Sequence, residues 1–221
     1  MELEGHTETV EFIKFNFDGK LCVTGGFNNI LRVWQLQPNH SPDAKNHQLV
    51  KKCELTNGPS ETDDINFVEW HPKGNVILCG GKDYMLWVMN GATGDLLASL
   101  SGHEAEVLCG KFTHLNGGKL IVSSSADKTI RVWSPLKQEC LNVIKKNNQN
   151  QNFHDSDIHI LELHPTEPVV VSGDLGGKVC LSNYNTGQIG GTLGSHVDSV
   201  ECISFCLHPS TAYCVTCGMD P

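Results

Sequence analysis

TGGFNNILRVW at residues 24–34 and SSSADKTIRVW at residues 123–133 are two copies of one pattern. In each copy, small residues lead into a polar turn, and a strand with β-branched residues then ends in tryptophan, ten positions after the first Thr or Ser. Strand-forming residues on both sides of a short polar turn predict a β-hairpin. The chain therefore contains the same hairpin at least twice.

The hairpin is one part of a longer repeat. Related segments end at Met89 and Ser182, so the four end points from Trp34 to Ser182 lie 55, 44 and 49 residues apart. A period of about 40–50 residues is typical of the blades of a β-propeller. The sequence predicts one all-β propeller domain over residues 1–221, with about four and a half blades. The expected repeats are residues 5–55, 58–100, 102–146, 153–193 and, incomplete, 195–221.

A Gly-His or related pair opens several repeats, and this feature carries a family resemblance. The pairs are Gly5-His6, Gly102-His103, Phe153-His154 and Ser195-His196. Together with the RVW ending, they resemble WD repeats over essentially the whole chain. Four segments are similar to successive blades of the angio-associated migratory cell protein family and its fungal ribosome-assembly counterpart. They are VEWHPKGNVILCGG (68–81), GHEAEVLCGKF (102–112), ADKTIRVWSP (126–135) and VVVSGDLGGKV (169–179).

The resemblance implies a hydrogen-bonded tetrad of His, Ser or Thr, Asp and Trp in each well-matched blade. The matching residues in two repeats are His103, Ser123, Asp127 and Trp133, and His6, Thr24, Asn28 and Trp34. Other repeats match less completely. The second repeat keeps Asp83 but has Met89 in the Trp position, and the fourth has Gly176 and Ser182 in the Asp and Trp positions.

Ser, His and Asp are also the residues of a nucleophilic catalytic triad. Because the same set recurs at repeat spacing and loses single members along the chain, a structural role is favoured over catalysis. The sequence also lacks the G-x-x-x-x-G-K, H-E-x-x-H and G-x-S-x-G motifs. We therefore expect a protein that is not an enzyme and that needs no cofactor.

Composition narrows the function further. The chain has 221 residues, 39% of them hydrophobic, which is enough for a large core, and a formal net charge of −9. This charge disfavours binding to a phosphate backbone and favours a cationic partner. No apolar run is long enough to cross a membrane, and no secretory signal opens the chain. A cytoplasmic location, with a nuclear one in addition, is the expectation.

The ten cysteines are interpreted as reduced thiols, mostly buried as small apolar residues. Four of them cluster near the end of the sequence, at Cys202, Cys206, Cys214 and Cys217, and invite a zinc interpretation. Residues three positions apart on a strand point to opposite faces, so Cys214 and Cys217 do not form a zinc knuckle. The four positions are instead predicted to belong to the core, without metal.

Acidic residues cluster in the five residues that follow each His position. They are Glu8, Glu11, Glu61, Asp63, Asp64, Glu104, Glu106, Asp155, Asp157, Asp198 and Glu201, which we call the acidic rim. These windows hold 11 of the 25 acidic residues and none of the 16 Lys and Arg residues. In a propeller the corresponding loops open on one rim of the ring, so a surface of one charge sign is expected there.

Two polar insertions are predicted to be surface loops. Residues 37–48 lie between the third and fourth strands of the first repeat, and residues 145–152 precede the fourth repeat. The fifth repeat stops after its second strand, and a full ring of seven or eight blades would need roughly 300 residues or more. The sequence is therefore interpreted as a fragment or truncated product.

These features predict a scaffold or escort whose acidic rim binds a basic protein. The family resemblance implies that the partner is a basic large-subunit ribosomal protein, shielded until it joins the ribosome. The alternative is a generic signalling or complex-assembly scaffold, including a role in cell migration. Neither function involves direct binding to nucleic acid or insertion into a membrane.

Overall fold

The computed structural model describes residues 4–26, 30–38, 47–56, 64–147, 152–208 and 211–220. Within these ranges the chain forms 18 β-strands and one short 3-10 helix at Leu115–Gly117. The expected all-β class is confirmed. Asn28, Glu61 and Asp63 lie outside the described residues, as do residues 39–46 and 148–151 of the two insertions.

The strands form five antiparallel sheets, four with four strands and one with two. Sheet 1 contains β1 (Val10–Phe15), β2 (Leu21–Gly26), β3 (Ile30–Pro38) and β4 (His47–Thr56). Sheet 2 contains β5 (Ile65–Trp70), β6 (Val76–Gly81), β7 (Leu86–Asn90) and β8 (Leu96–Leu100). Sheet 3 contains β9 (Val107–Phe112), β10 (Ile121–Ser125), β11 (Ile130–Ser134) and β12 (Glu139–Ile144). Sheet 4 contains β13 (Ile158–Leu163), β14 (Val169–Asp174), β15 (Lys178–Asn183) and β16 (Ile189–Ser195). Sheet 5 contains β17 (Val200–His208) and β18 (Thr211–Gly218).

Consecutive sheets stack face to face, because the first strand of each sheet packs on the first two strands of the preceding sheet. A separate apolar cluster fills each of the four spaces between sheets. The second strands lie inside this stack, and β10 is buried along its whole length. The outer strand β12 instead alternates between exposed and more buried residues, as expected for a strand with one wet face.

Ion pairs between neighbouring first strands show how the sheets are aligned. Lys14 on β1 pairs with Glu69 on β5 at 2.5 Å, and Lys111 on β9 pairs with Glu162 on β13 at 2.7 Å. In each sheet the first strand pairs with the second strand, and these four residues occupy equivalent positions in those four ladders. The first strands therefore run in the same direction, and the loops before them lie along one edge of the stack.

The insertion expected at residues 37–48 is shorter than the sequence suggested. Strand β3 continues to Pro38 and β4 begins at His47, so both flanks of the insertion are paired strand. Polar residues can extend an outer hairpin because its exposed face needs no apolar side chains.

Glycine at position 81 lets the backbone of the preceding loop approach strand β6 more closely than a residue with a Cβ atom would allow. A Cβ atom at Gly81 would lie 2.0 Å from the carbonyl oxygen of Asp64, which accepts the amide of Lys82. We expect Gly81→Ala to lower the free energy of unfolding by about 1–3 kcal/mol, because the loop must shift.

The matched control for this substitution is Gly194→Ala on strand β16. A Cβ atom at Gly194 would contact nothing within 4 Å, so the free energy of unfolding should stay within about 0.5 kcal/mol of the wild-type value. Urea unfolding of both variants provides the comparison. Equal midpoints would show that the carbonyl of Asp64 is not held against Gly81.

Candidate functional site

The tetrad of sheet 3 is fully assembled. His103 Nδ1 lies 2.7 Å from Asp127 Oδ2, and His103 Nε2 lies 2.8 Å from Ser123 Oγ. The indole Nε1–H of Trp133 donates to the same Ser123 oxygen at 2.8 Å. This pattern fits a neutral imidazole that donates from Nδ1 to the carboxylate and accepts the serine hydroxyl at Nε2. The tetrad thereby ties the loop before β9 to strands β10 and β11.

The carboxylate of Asp127 also fixes the turn between β10 and β11. It accepts the amides of Glu104 and Thr129 at 3.0 and 2.9 Å, and the Thr129 hydroxyl at 2.7 Å. Burial raises the pKa of this carboxyl, but the hydrogen bonds from His103, Thr129 and Glu104 outweigh it and hold the pKa well below its usual range. Burial lowers the pKa of His103 despite the neighbouring Asp127.

Ser123 is not placed to act as a nucleophile. The residue is completely buried, and its oxygen already accepts the Trp133 indole while its hydroxyl faces His103. A nucleophilic serine needs an accessible oxygen beside a site where a substrate can sit. The geometry therefore supports a structural tetrad.

Sheet 4 corrects one expectation from the sequence. The Asp position was assigned to Gly176, but the carboxylate comes from Asp174, two residues earlier at the end of β14. His154 Nδ1 lies 2.8 Å from Asp174 Oδ2, and its Nε2 lies 2.7 Å from Ser172 Oγ. Asp174 also accepts the amides of Gly176 and Lys178, both at 2.9 Å. The carboxylate therefore lies two residues earlier than in sheet 3, and it still contacts the imidazole and accepts amides of the following turn.

Within the described residues, sheets 1 and 5 contain parts of the same network. In sheet 1, Thr24 Oγ1 lies 2.8 Å from both His6 Nε2 and Trp34 Nε1. In sheet 5, the imidazole of His196 lies 2.8 Å from Asp220 Oδ1 and 2.9 Å from Thr216 Oγ1. The sequence-based site did not include these three residues, although the spacing from His196 to Asp220 equals that from His103 to Asp127.

Sheet 2 uses a different connection in place of the missing histidine. Asp83 accepts the indole Nε1–H of Trp87 at 2.6 Å and the amide of Met85 at 3.0 Å. Met89 fills the position that Trp133 holds in sheet 3, and it is buried. Asp83 thus holds the same turn without a link to the preceding loop through an imidazole.

The lowered pKa of His103 makes a prediction for the pH dependence of stability. The folded state favours the neutral form of His103. The contribution of His103 to the stability of the fold is therefore complete above the unfolded pKa of about 6.5, and it is lost as the pH falls through the lower pKa of the folded state. The stability advantage of the wild-type chain over His103→Gln should therefore shrink between pH 7.5 and pH 5. Urea midpoints of both proteins at the two pH values measure it, and an advantage that grows at pH 5 would contradict the neutral imidazole.

The rim loops lie at one edge of the stack, next to the turns between second and third strands. The amides of Lys82, Ala126, Leu175 and Met219 in or beside these turns donate to carbonyl oxygens of the preceding loops, at 3.0–3.1 Å. The rim therefore has two rows of residues, the loops before the first strands and the turns. Only the first row was considered in the sequence windows.

Lysines of the second row neutralise part of the acidic rim, which corrects the expectation of a surface without bases. Lys82 pairs with Asp64 at 2.6 Å, and Lys178 pairs with Asp155 at 2.6 Å. Lys146, which follows β12, pairs with Asp155 as well. Hydrogen bonds from Lys146 and Lys178 lower the pKa of Asp155 to about 2. These turns are distant in sequence from the acidic windows, so the window count missed them.

The other described rim acids are arranged differently. Glu201 lies 3.7 Å from His159 Nε2 and accepts the Ser199 hydroxyl at 2.6 Å. The remaining ones form no ion pair with another described residue, and we call them the open rim acids. They are Glu8, Glu11, Glu104, Glu106, Asp157 and Asp198. Glu8, Glu11, Glu104 and Asp198 are exposed, and the other two are half-buried.

The cysteine positions only partly follow the sequence-based interpretation. Cys22, Cys79, Cys109 and Cys180 are buried, as expected for core thiols. The expectation of core positions is wrong for Cys202, Cys206 and Cys217, which are exposed because no further described sheet packs on sheet 5. Among the described residues, no group of three or more His, Cys, Asp or Glu side chains is arranged to hold a metal ion.

Family comparison agrees with this geometry. A family model described as "WD domain, G-beta repeat" matches residues 1–35, 51–88 and 94–134, more than half of the chain. The chain belongs to the WD40 repeat family. The five sheets of this WD40 protein are therefore propeller blades, the last of them partial. WD40 domains are typically non-catalytic scaffolds that bind proteins.

Relatives cover most of this WD40 chain. Human angio-associated migratory cell protein is 26% identical over 220 residues, which are 93% of this chain and 46% of that protein. The ribosome biogenesis protein WDR12 homolog of Ixodes scapularis is 27% identical over 61% of this chain and 35% of its own length. The pre-mRNA-processing factor 19 homolog 2 of Arabidopsis thaliana is 26% identical over 61% and 25%. The chain thus spans about half the length of the first of these relatives.

No helix in the described part of the WD40 chain has the length and apolar character required to cross a bilayer.

Proposed function

We propose that this WD40 chain is a non-catalytic binding scaffold whose acidic rim holds a basic segment of a partner protein. The open rim acids carry this proposal, because they come from four different blades and have no ion pair with another described residue. A carboxylate without an internal ion pair can bind a lysine or arginine of a partner without first losing a salt bridge.

The spacing of these acids favours an extended partner. The Debye length is about 8 Å at physiological ionic strength, so an acid acts mainly on charges close to its own blade. Exposed ion pairs contribute about 0.2–1 kcal/mol each. A useful affinity therefore requires a basic segment that crosses the rim and contacts several blades in turn.

The chemical class of the partner is a lysine- and arginine-rich protein, and we propose that it is a large-subunit ribosomal protein under escort. The net charge of −9 supports a cationic partner over a nucleic acid. The similarity to a relative named as a ribosome biogenesis protein supports the ribosomal assignment. The scaffold would shield the positive charge of its client until the client is incorporated.

A generic signalling or complex-assembly scaffold is the second candidate. Relatives with other assignments favour it, since one is named a pre-mRNA-processing factor and another an angio-associated migratory cell protein. Such a scaffold would bind through apolar contacts, which salt does not weaken.

Salt dependence separates the two candidates. The immobilised chain is incubated with cell extract at about 50 mM salt, within the range where electrostatic affinity is strong, and eluted with increasing salt. An acidic-rim escort should retain lysine- and arginine-rich proteins and release them as the salt concentration rises. Retention of partners that resist high salt would favour the generic scaffold instead.

A further inference from the structure

Strand pairing in sheet 5 places two cysteines directly opposite each other. Cys202 on β17 and Cys217 on β18 are cross-strand partners in the antiparallel ladder. The corresponding pairs in the four complete sheets all have Gly or Ser on the second strand. These pairs are Phe12–Gly25, Phe67–Gly80, Cys109–Ser124 and Ile160–Gly173. Among the described ladders, sheet 5 alone therefore has a cysteine on both strands at this position.

The geometry of an antiparallel pair suits a disulfide bond. Opposite residues have Cα atoms about 4.5–5.5 Å apart and side chains on the same face of the sheet. A disulfide needs a Cα separation of about 4.4–6.8 Å, so the backbone can close the bond without a large movement. The neighbouring Cys217 contributes to the raised pKa of the Cys202 thiol, and both residues are exposed to a reagent.

The other two cysteines of sheet 5 lack such a partner in the ladder. Cys206 lies opposite Tyr213, and Cys214 lies opposite Phe205. Cys206 is exposed like Cys202, so it offers a control for exposure without an opposed thiol.

We propose that Cys202 and Cys217 form a reversible cross-strand disulfide when the chain meets a disulfide oxidant such as oxidised glutathione. The disulfide would join β17 to β18 across a segment of 16 residues, counted from Cys202 to Cys217. This bond would be a redox-controlled covalent link within the partial blade that also carries the rim residue Asp198.

The chemistry consists of two thiol–disulfide exchanges. The thiolate of Cys217 attacks one sulfur of oxidised glutathione, the glutathione S–S bond breaks, and one reduced glutathione leaves. Cys202 then loses its proton to solvent and attacks the Cys217 sulfur of the mixed disulfide, releasing the second glutathione. Cys202 suits the later step because partial desolvation by the surrounding protein and the neighbouring Cys217 raise its pKa. In sum, two thiols are oxidised and one glutathione disulfide is reduced to two thiols.

Peptide mapping tests the proposal on the full chain. The reduced protein, which has ten cysteines, is treated with oxidised glutathione, quenched in acid, alkylated and digested with chymotrypsin. Trypsin is unsuitable because no Lys or Arg follows Lys178, whereas cleavage after Phe205 and Tyr213 separates the two cysteines. The expected product is one peptide pair joined through Cys202 and Cys217, lighter by two hydrogens than the sum of its parts. Dithiothreitol should restore all ten thiols.

Three variants distinguish this pair from general thiol reactivity. Cys202→Ser should retain one glutathione on Cys217, because the second exchange has no attacking thiol. Cys217→Ser should yield no internal disulfide on β17 and β18. Cys206→Ser should form the Cys202–Cys217 bond at the wild-type rate. The proposal is overturned if glutathione accumulates on Cys206 while Cys202 and Cys217 stay reduced, or if Cys206 or Cys214 is the preferred partner.

Discussion

Replacing Asp127 with alanine is expected to lower the free energy of unfolding by about 2–4 kcal/mol, because the change leaves buried donors without an acceptor. His103 Nδ1, the Thr129 hydroxyl and the amides of Glu104 and Thr129 all donate to this one carboxylate. His103 is buried, so water cannot replace the lost acceptor at low cost. The effect should therefore exceed that of a surface substitution.

Asp83→Ala is the matched control, since Asp83 holds the corresponding turn of sheet 2. Among the described residues, Asp83 accepts two hydrogen bonds, from the Trp87 indole and the Met85 amide, and neither donor lies in the preceding loop. We expect about half the loss seen for Asp127→Ala, in keeping with about 1 kcal/mol for each ordinary hydrogen bond. Equal urea midpoints for the two variants would remove the argument that the imidazole connection matters.

Neutralising four open rim acids together is expected to weaken binding of a basic segment by roughly ten- to a hundredfold, given about 0.2–1 kcal/mol for each exposed pair. The variant carries Glu8→Gln, Glu104→Gln, Glu106→Gln and Asp198→Asn. Single substitutions should each cost less than about fivefold, since one exposed pair contributes about 1 kcal/mol at most. The dependence of affinity on salt should also become weaker.

A control variant with the same change in net charge distinguishes an effect of the rim acids from an effect of the overall charge of the protein. Its substitutions are Asp18→Asn, Asp95→Asn, Glu139→Gln and Glu167→Gln. These residues lie in or beside the turns after first and third strands, at the end of the sheets away from the rim. Binding should change by no more than about twofold, because screening limits charges to a range of about 8 Å. Equal losses in both variants would rule out the rim as the contact surface.

Repeat spacing predicted the all-β propeller fold, and the resemblance to WD repeats implied the tetrad of sheet 3. His103, Ser123, Asp127 and Trp133 occupy fixed positions in one repeat, and the antiparallel pairing of β9, β10 and β11 brings them together. Asp174 was missed because the sequence was aligned position by position. In sheet 4 the carboxylate at the end of β14 contacts the histidine of its own sheet, although it lies two residues earlier in the repeat than Asp127 does in sheet 3. Only the distances in the structure show that the two carboxylates are equivalent.

The charge of the rim could be read only in part from the sequence. The sequence showed that acids cluster in the loops before the first strands. The lysines that pair with them, Lys82 and Lys178, come from turns about 20 residues further along the chain. Contacts of this kind depend on which turn folds back beside which loop. The exposure of Cys202 was missed for a related reason, because its burial depends on a neighbouring sheet and not on its own strand.

Cross-linking most directly tests whether the acidic rim is the binding surface. A peptide of alternating lysine and glycine with a blocked amino terminus is bound to the full chain, and a carbodiimide then couples lysine amines to the nearest carboxylates without a spacer. We predict coupling at Glu8, Glu104 and Asp198, and loss of coupling at high salt. Coupling concentrated at Asp18 and Glu139, with the rim carboxylates unmodified, would contradict the proposed function.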